Sequence, residues 1–300
     1  MQRERIVVVG AGPAGCAAAV QCARLGVRPL LVDRRGRGGG LVENGHCIEN
    51  YPGLAPLPGP AFAELLRSHL ARFGVAVERA AVLGVEQSDE GLAVRTDGGI
   101  VTARAVILAP GTIPLPLGVD GEDALAGSLV FYEVRDLLEA LPRPSEIVVI
   151  GGGEAACDSA LTLAGAGARV TIAVRGGALR VRGRLLDLVA AEPRIAMTTG
   201  TRAVALAPAG RRARLTMQSG GGSEELLSDA ILVAVGRRSA APALVSLPDA
   251  AGRGPILTRL PGLFIAGDAR LGSLGQAGTA VGDGLLAAAE AVRTASDRWT

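Results

Sequence analysis

The chain contains no lysine; every basic residue is arginine. That excludes a phosphate-loop lysine and a Schiff-base lysine. The only histidines are His46 and His69, too few for a His-rich metal centre. The cysteines, Cys16, Cys22, Cys47 and Cys157, form no C-x-x-C pair. They suit neither a secreted disulfide framework nor a zinc site, so a reducing, cytoplasmic setting is expected. No apolar run approaches the roughly 18 residues of a spanning helix. Met1-Gln2-Arg3-Glu4-Arg5 runs straight into strand-like Ile6-Val7-Val8-Val9, without the apolar core of a signal peptide. A net charge of +2 provides no strong field for nucleic acid or a membrane surface.

Three hundred residues, 49% hydrophobic and 20% charged, suffice for two compact domains. Two glycine-rich fingerprints stand out. The first reads Gly10-Ala11-Gly12-Pro13-Ala14-Gly15, the second Gly151-Gly152-Gly153-Glu154-Ala155-Ala156. Each follows a β-branched run and opens an Ala-rich helical stretch. One such motif is weak evidence. Two in one chain, with further elements in matching places, point to a flavoprotein that binds two dinucleotides.

Residues 5–33 read strand, tight turn, helix, strand. An amphipathic helix is predicted at 60–73, where Leu65, Leu66 and Leu70 share a face. Residues 74–108 are β-rich. Residues 110–116 form a turn-rich boundary, and a second βαβ unit starts at 147–150 and closes at 170–174. Strands are predicted within 201–218 and at 230–235, a return linker at 237–248, and a long helix at 276–295. The expected fold is α/β, with two Rossmann-like domains, the second inserted in the first. The boundaries are 1–114 and 242–300 for the first domain and 115–241 for the second.

In the first fingerprint Gly10 permits the turn, Gly12 lets a pyrophosphate approach, and Gly15 allows close helix–strand packing. Asp33 ends the following strand, where a carboxylate suits a ribose. At the corresponding place in the second unit stand Val174 and Arg175, with Arg180 and Arg182 beyond. Arginine there accommodates a 2′-phosphate, which favours NADPH over NADH. Near the C-terminus, Gly267-Asp268 follows a strand and suits a ribityl chain. Gly275-Gln276-Ala277 opens a helix whose amides can face the flavin N1 and C2 carbonyl.

The chain resembles the thioredoxin reductase branch of the two-dinucleotide-binding-domain flavoproteins. The matching residues are the two fingerprints, Gly39-Gly40, Glu49-Asn50-Tyr51-Pro52-Gly53, Ala109-Pro110-Gly111-Thr112, residues 262–268 and Gln276-Ala277. The resemblance implies FAD in the first domain, NADPH (or NADH) in the second, and a homodimer. It assigns Gly10, Gly12, Pro13, Ala14, Gly15, Asp33, Gly40, Asn50, Gly111, Gly267, Asp268, Gln276 and Ala277 to FAD. It assigns Gly151, Gly153, Glu154, Ala155, Arg175 and Arg180 to NADP.

That family carries a redox C-x-x-C before the second fingerprint. Here the region reads Phe131-Tyr132-Glu133-Val134-Arg135-Asp136, with no thiol to relay electrons. Tyr132-x-Val134-x-Asp136 also resembles the thioredoxin-reductase-like ferredoxin–NADP reductases, in which an aromatic near the C-terminus stacks on the flavin; Trp299 is the candidate here. His46 is a candidate to tune the flavin or relay a proton, and Cys47 a candidate nucleophile or charge-transfer partner. Cys16, Cys22 and Cys157 are expected to pack as small apolar residues. The expected function is FAD-dependent NAD(P)H oxidation, with electrons passed to ferredoxin or flavodoxin, a quinone, oxygen or a small disulfide. A flavin-binding sensor without turnover, a pyridine-nucleotide-independent flavoenzyme and a disulfide reductase using Cys47 are alternatives.

Overall fold

The computed structural model describes residues 2–241, 258, 260–270 and 274–297. Trp299 and most of the 237–248 linker lie outside the described residues. The chain divides into two compact units. The first comprises Met1–Glu43, Ile48–Ile113 and Ser239–Thr300, the second Asn44–Cys47 and Pro114–Arg238. No helix among the described residues is long and apolar enough to cross a membrane.

In the first unit, strands Val77–Arg79, Leu30–Asp33, Gln2–Val9 and Gly99–Leu108 lie side by side and parallel. Leu263–Ile265 adds to Gly99–Leu108, also parallel. Gly91–Thr96 and Val82–Ser88 extend the sheet antiparallel. Alternation along each strand sorts side chains to the two faces. Ile6, Val8, Leu31, Ile107 and Phe264 pack under helices Pro13–Arg24, Gly59–Arg72 and Ala277–Asp297. Val7, Val9, Val32, Val106, Leu108 and Leu263 pack on the opposite face.

In the second unit, Ile195–Thr199, Arg169–Val174, Glu146–Ile150, Ala230–Val233 and Val130–Phe131 form a five-stranded parallel sheet. Helix Glu154–Gly165 covers one face through Ala160, Leu163 and Ala164. An antiparallel meander, Arg202–Ala209, Arg212–Ser219 and Gly222–Ser228, contributes Leu206, Leu215 and Met217 to the core on the other. The two segments by which the chain leaves and re-enters, Thr112–Pro114 and Arg237–Ser239, pair as a short ribbon.

A buried carboxylate, Glu122, fastens the start of the second unit. It accepts the N–H groups of Leu117 (2.8 Å) and Gly118 (2.6 Å) and the Tyr132 hydroxyl (2.7 Å). Burial raises its carboxyl, but the hydrogen bonds from Tyr132 and the Leu117, Gly118 and Val119 amides outweigh that and hold it below the usual carboxylate range. The Tyr132 phenol is raised by burial and by Glu122, so it stays protonated. A depressed folded-state pKa stabilises above the unfolded-state value and is lost as pH falls through the folded one. Glu122→Gln is therefore expected to cost about 2 kcal/mol at neutral pH. Urea denaturation of both proteins should show that difference shrinking as the pH falls below the ordinary carboxylate range; a difference independent of pH would contradict the charge-based account.

Candidate dinucleotide-binding sites

The first fingerprint sits at the carboxyl end of Gln2–Val9, where a parallel sheet presents ligands. Gly10 has φ +92°, and a Cβ there would lie 2.3 Å from the Ala109 carbonyl oxygen. A Cβ on Gly15 would lie 1.8 Å from the Gly10 carbonyl oxygen. Around Gly12, by contrast, the nearest atom to such a Cβ is 4.0 Å away. Two glycines thus press backbone on backbone while the third leaves an open approach. Gly12 caps helix Pro13–Arg24 in an extended conformation without a side-chain cap. The first-turn amides are then left for an anion. This cradle fits a dinucleotide pyrophosphate.

Asp33 ends its strand and accepts the N–H groups of Ala11 (3.0 Å) and Arg35 (2.8 Å). It ties the strand end to the fingerprint, beside the place expected for a ribose. Gly39 donates its N–H to Ala11 at 2.8 Å. At Gly40, φ is +64° and a Cβ would come within 2.7 Å of the Gly12 Cα. Glu43 holds this turn from beneath. It is buried and binds Arg67 at 2.8 Å and Arg37 at 3.2 Å, while Arg67 also donates to the Gly38 carbonyl at 2.9 Å. Glu43 and Arg67 were not legible as partners, because every cation in this chain is arginine and the two are far apart in sequence.

The remaining candidates of the first unit gather at neighbouring strand ends. Asp268, half-buried, lies in the 3-10 turn Gly267–Ala269 just after Leu263–Ile265. The Asn50 amide donates to the Gln276 side-chain oxygen at 2.6 Å, which brings those two together ahead of helix Ala277–Asp297. Gly111, φ +68°, follows Gly99–Leu108 and accepts the Ala240 N–H at 3.0 Å.

The second fingerprint repeats the geometry. A Cβ on Gly151 would lie 2.3 Å from the Ala234 carbonyl oxygen and 3.3 Å from the Ala156 methyl. Gly153 is open, with only an Arg180 guanidinium nitrogen 3.9 Å from where its Cβ would be. Helix Glu154–Gly165 starts without a side-chain cap, and Glu154 and Ala155 are exposed in its first turn. Arg180 donates its backbone N–H to the Gly152 carbonyl at 2.6 Å. Its side chain and that of Arg175 are exposed beyond the end of Arg169–Val174. Two exposed cations beside an open helix N-terminus suit a phosphate monoester.

His46 and Cys47 belong to the second unit. The His46 N–H donates to Asp158 at 2.8 Å, and Asp158 lies on helix Glu154–Gly165. Burial pushes the Asp158 carboxyl up, opposed by the His46 and Cys47 amides and the His46 ring. Asn44 donates to Glu133 at 2.7 Å and accepts the Arg135 N–H at 3.2 Å; Glu133 also pairs with Arg237 at 2.9 Å. Nothing local in the sequence marks Asn44 and Asp158, because contacts this long-range leave no local pattern.

Cys16, Cys22 and Cys157 are buried and Cys47 is partly exposed. Burial pushes the Cys16 and Cys22 thiols up to about 12 and Cys157 to about 11. Cys16 is further spent on the Ala11 carbonyl, 3.1 Å away. Titration of the native protein with an aromatic disulfide reagent should therefore modify one thiol quickly, absent in Cys47→Ser, and the rest only after denaturation. Rapid modification in Cys47→Ser would contradict this order.

Comparison with known proteins agrees with this geometry. The family described as pyridine nucleotide-disulphide oxidoreductase matches residues 4–284. The thioredoxin reductase of Treponema pallidum is 32% identical, over 94% of each chain. The crystal structure of Lactococcus lactis thioredoxin reductase superposes with a TM-score of 0.88 at 29% identity, covering 98% of this chain and 99% of the other. The bacillithiol disulfide reductase of Staphylococcus aureus shares the fold, with a TM-score of 0.77 at 19% identity over 98% of this chain and 99% of that one. With both fingerprints in place and the match running nearly end to end, the chain belongs to the pyridine nucleotide-disulphide oxidoreductase family, in its thioredoxin reductase-like form.

Proposed function

We propose that this protein oxidises NADPH through FAD and passes the electrons to an acceptor without a neighbouring dithiol. FAD and NADPH are the cofactors of the family; bound flavin would supply the ability to take one hydride and to give up its two electrons singly or together. The chain's own residues bind and orient. Gly10, Gly12 and Gly15 shape a pyrophosphate cradle, with Asp33, Asp268, Asn50 and Gln276 around the rest of the flavin nucleotide. Gly151 and Gly153 shape the second, with Arg175 and Arg180 for the 2′-phosphate.

One observation carries the reading of the acceptor route. Residues 131–136, where the resembled family has its C-x-x-C, hold no cysteine. Glu133 there is committed to Asn44 and Arg237, and the buried thiols Cys16, Cys22 and Cys157 are in no state to substitute. A small carrier such as ferredoxin or flavodoxin, a quinone or oxygen then fits the acceptor better than thioredoxin. The protein would work as a homodimer in the cytoplasm. A second reading rests on Cys47, the partly exposed cysteine. It makes the protein a reductase of a small disulfide with one unconventional thiol.

Anaerobic titration of the flavin absorbance with NADPH and NADH tests the donor. Rapid bleaching by NADPH is expected; bound flavin untouched by either nucleotide would overturn the proposal. Paired replacement of Arg175 and Arg180 by alanine should weaken NADPH binding about tenfold, while NADH changes less than about twofold. Equal losses for both would remove the 2′-phosphate role. Undiminished disulfide reduction by Cys47→Ser would dispose of the second reading.

A further inference from the structure

Among the described residues the buried acidic side chains are Glu43, Glu122 and Asp283. The first two each close a turn near their own position. Asp283 is different, because it sits inside the long helix Ala277–Asp297, with 7% of its surface exposed. One carboxylate oxygen accepts the Gly267 N–H at 3.2 Å. The other pairs with the Arg270 guanidinium at 3.2 Å. Arg270 in turn donates its own N–H to the Gly267 carbonyl at 2.9 Å. Asp283 thus grips both ends of the 3-10 turn Gly267–Ala269, and Asp268 is the residue held between them.

The next residue, Gly284, fixes the helix from which Asp283 reaches. A Cβ there would lie 2.1 Å from the Ala14 carbonyl oxygen, in the first turn of the fingerprint helix. Gly267, φ +68°, meets the same residue from the other side, since its Cβ would lie 2.8 Å from the Ala14 methyl. The pyrophosphate cradle and the turn carrying Asp268 are therefore registered against each other through Ala14. Stability alone does not call for a carboxylate here, because a well-packed apolar residue commonly serves a buried site as well as an ion pair does. The pair is directional, and what it directs is the turn.

We propose that Asp283, with Arg270, is a positioning residue for FAD. It sets the Gly267–Ala269 turn so that Asp268 meets the ribityl chain while the pyrophosphate lies on the first fingerprint. This rests on the reading that the first unit holds FAD. Asp283 itself does not touch the cofactor; it acts through the turn.

The test uses the full-length protein stripped of flavin and re-titrated with FAD, following the quenching of flavin fluorescence. Asp283→Leu keeps the branched shape, adds some bulk and removes both bonds. Asp283→Asn keeps an acceptor for the Gly267 N–H and loses the charge facing Arg270. FAD affinity should fall about tenfold or more in Asp283→Leu and about threefold in Asp283→Asn. NADPH affinity should stay within about twofold in both, and the thermal midpoint of the flavin-free double variant Asp283→Leu/Arg270→Leu, which leaves no charge unpaired, should match or exceed that of the wild type. Both variants binding FAD within about twofold of the wild type would overturn the proposal. So would a parallel loss of FAD and NADPH binding, which would mark general unfolding. A wild-type protein that does not bind FAD would instead overturn the flavin reading, and this assignment with it.

Discussion

The structure depends on places where a side chain has been removed so that backbone can touch backbone. At Gly10, Gly15, Gly151 and Gly284 a single added carbon would fall 1.8 to 2.3 Å from a carbonyl oxygen. Real carbons do not approach so closely, so each helix would have to lift from its strand or neighbour. A lifted helix would displace its first-turn amides, the groups that a phosphate at a helix N-terminus reads. Core packing elsewhere tolerates volume changes with modest repacking. These contacts leave no atom free to give.

Around the contacts stands a second device, the buried carboxylate that closes a turn. Glu43 holds the turn over Gly12, Glu122 the entry to the second unit, and Asp283 the turn bearing Asp268. Each accepts two or more charge-assisted or amide hydrogen bonds, which offset the cost of leaving water. Glycine provides the closeness and the carboxylate the direction. Neither alone would hold a loop in one geometry without a ligand.

The sequence is most readable where local chemistry decides structure. The two fingerprints, the apolar strands that precede them and the helix predicted at 60–73 all follow from short-range rules, and the structure places them at Gln2–Val9, Glu146–Ile150 and Gly59–Arg72. Strand Gly222–Ser228 is not legible in the sequence, because it is a polar edge with little buried alternation, exposed along most of its length. Helix Arg184–Ala191 was hidden among glycines and arginines. The roles of Glu43, Asp158 and Asp283 are set by partners 6 to 112 residues away, and a single sequence carries no mark of such pairs.

The second unit begins where Leu115 donates its N–H to the Gly236 carbonyl, 2.9 Å away, and the first is interrupted where Ala240 donates to Gly111 at 3.0 Å. Each interruption is thus sewn shut by its own hydrogen bond. The segment spanning 114–238 starts and ends at one point in space, as an inserted module does when its termini are adjacent. The host needs only a short bridge between Gly111 and Ala240 to become a continuous chain. The fold therefore carries a seam whose two crossings lie side by side, and a cut across it severs no strand of either main sheet.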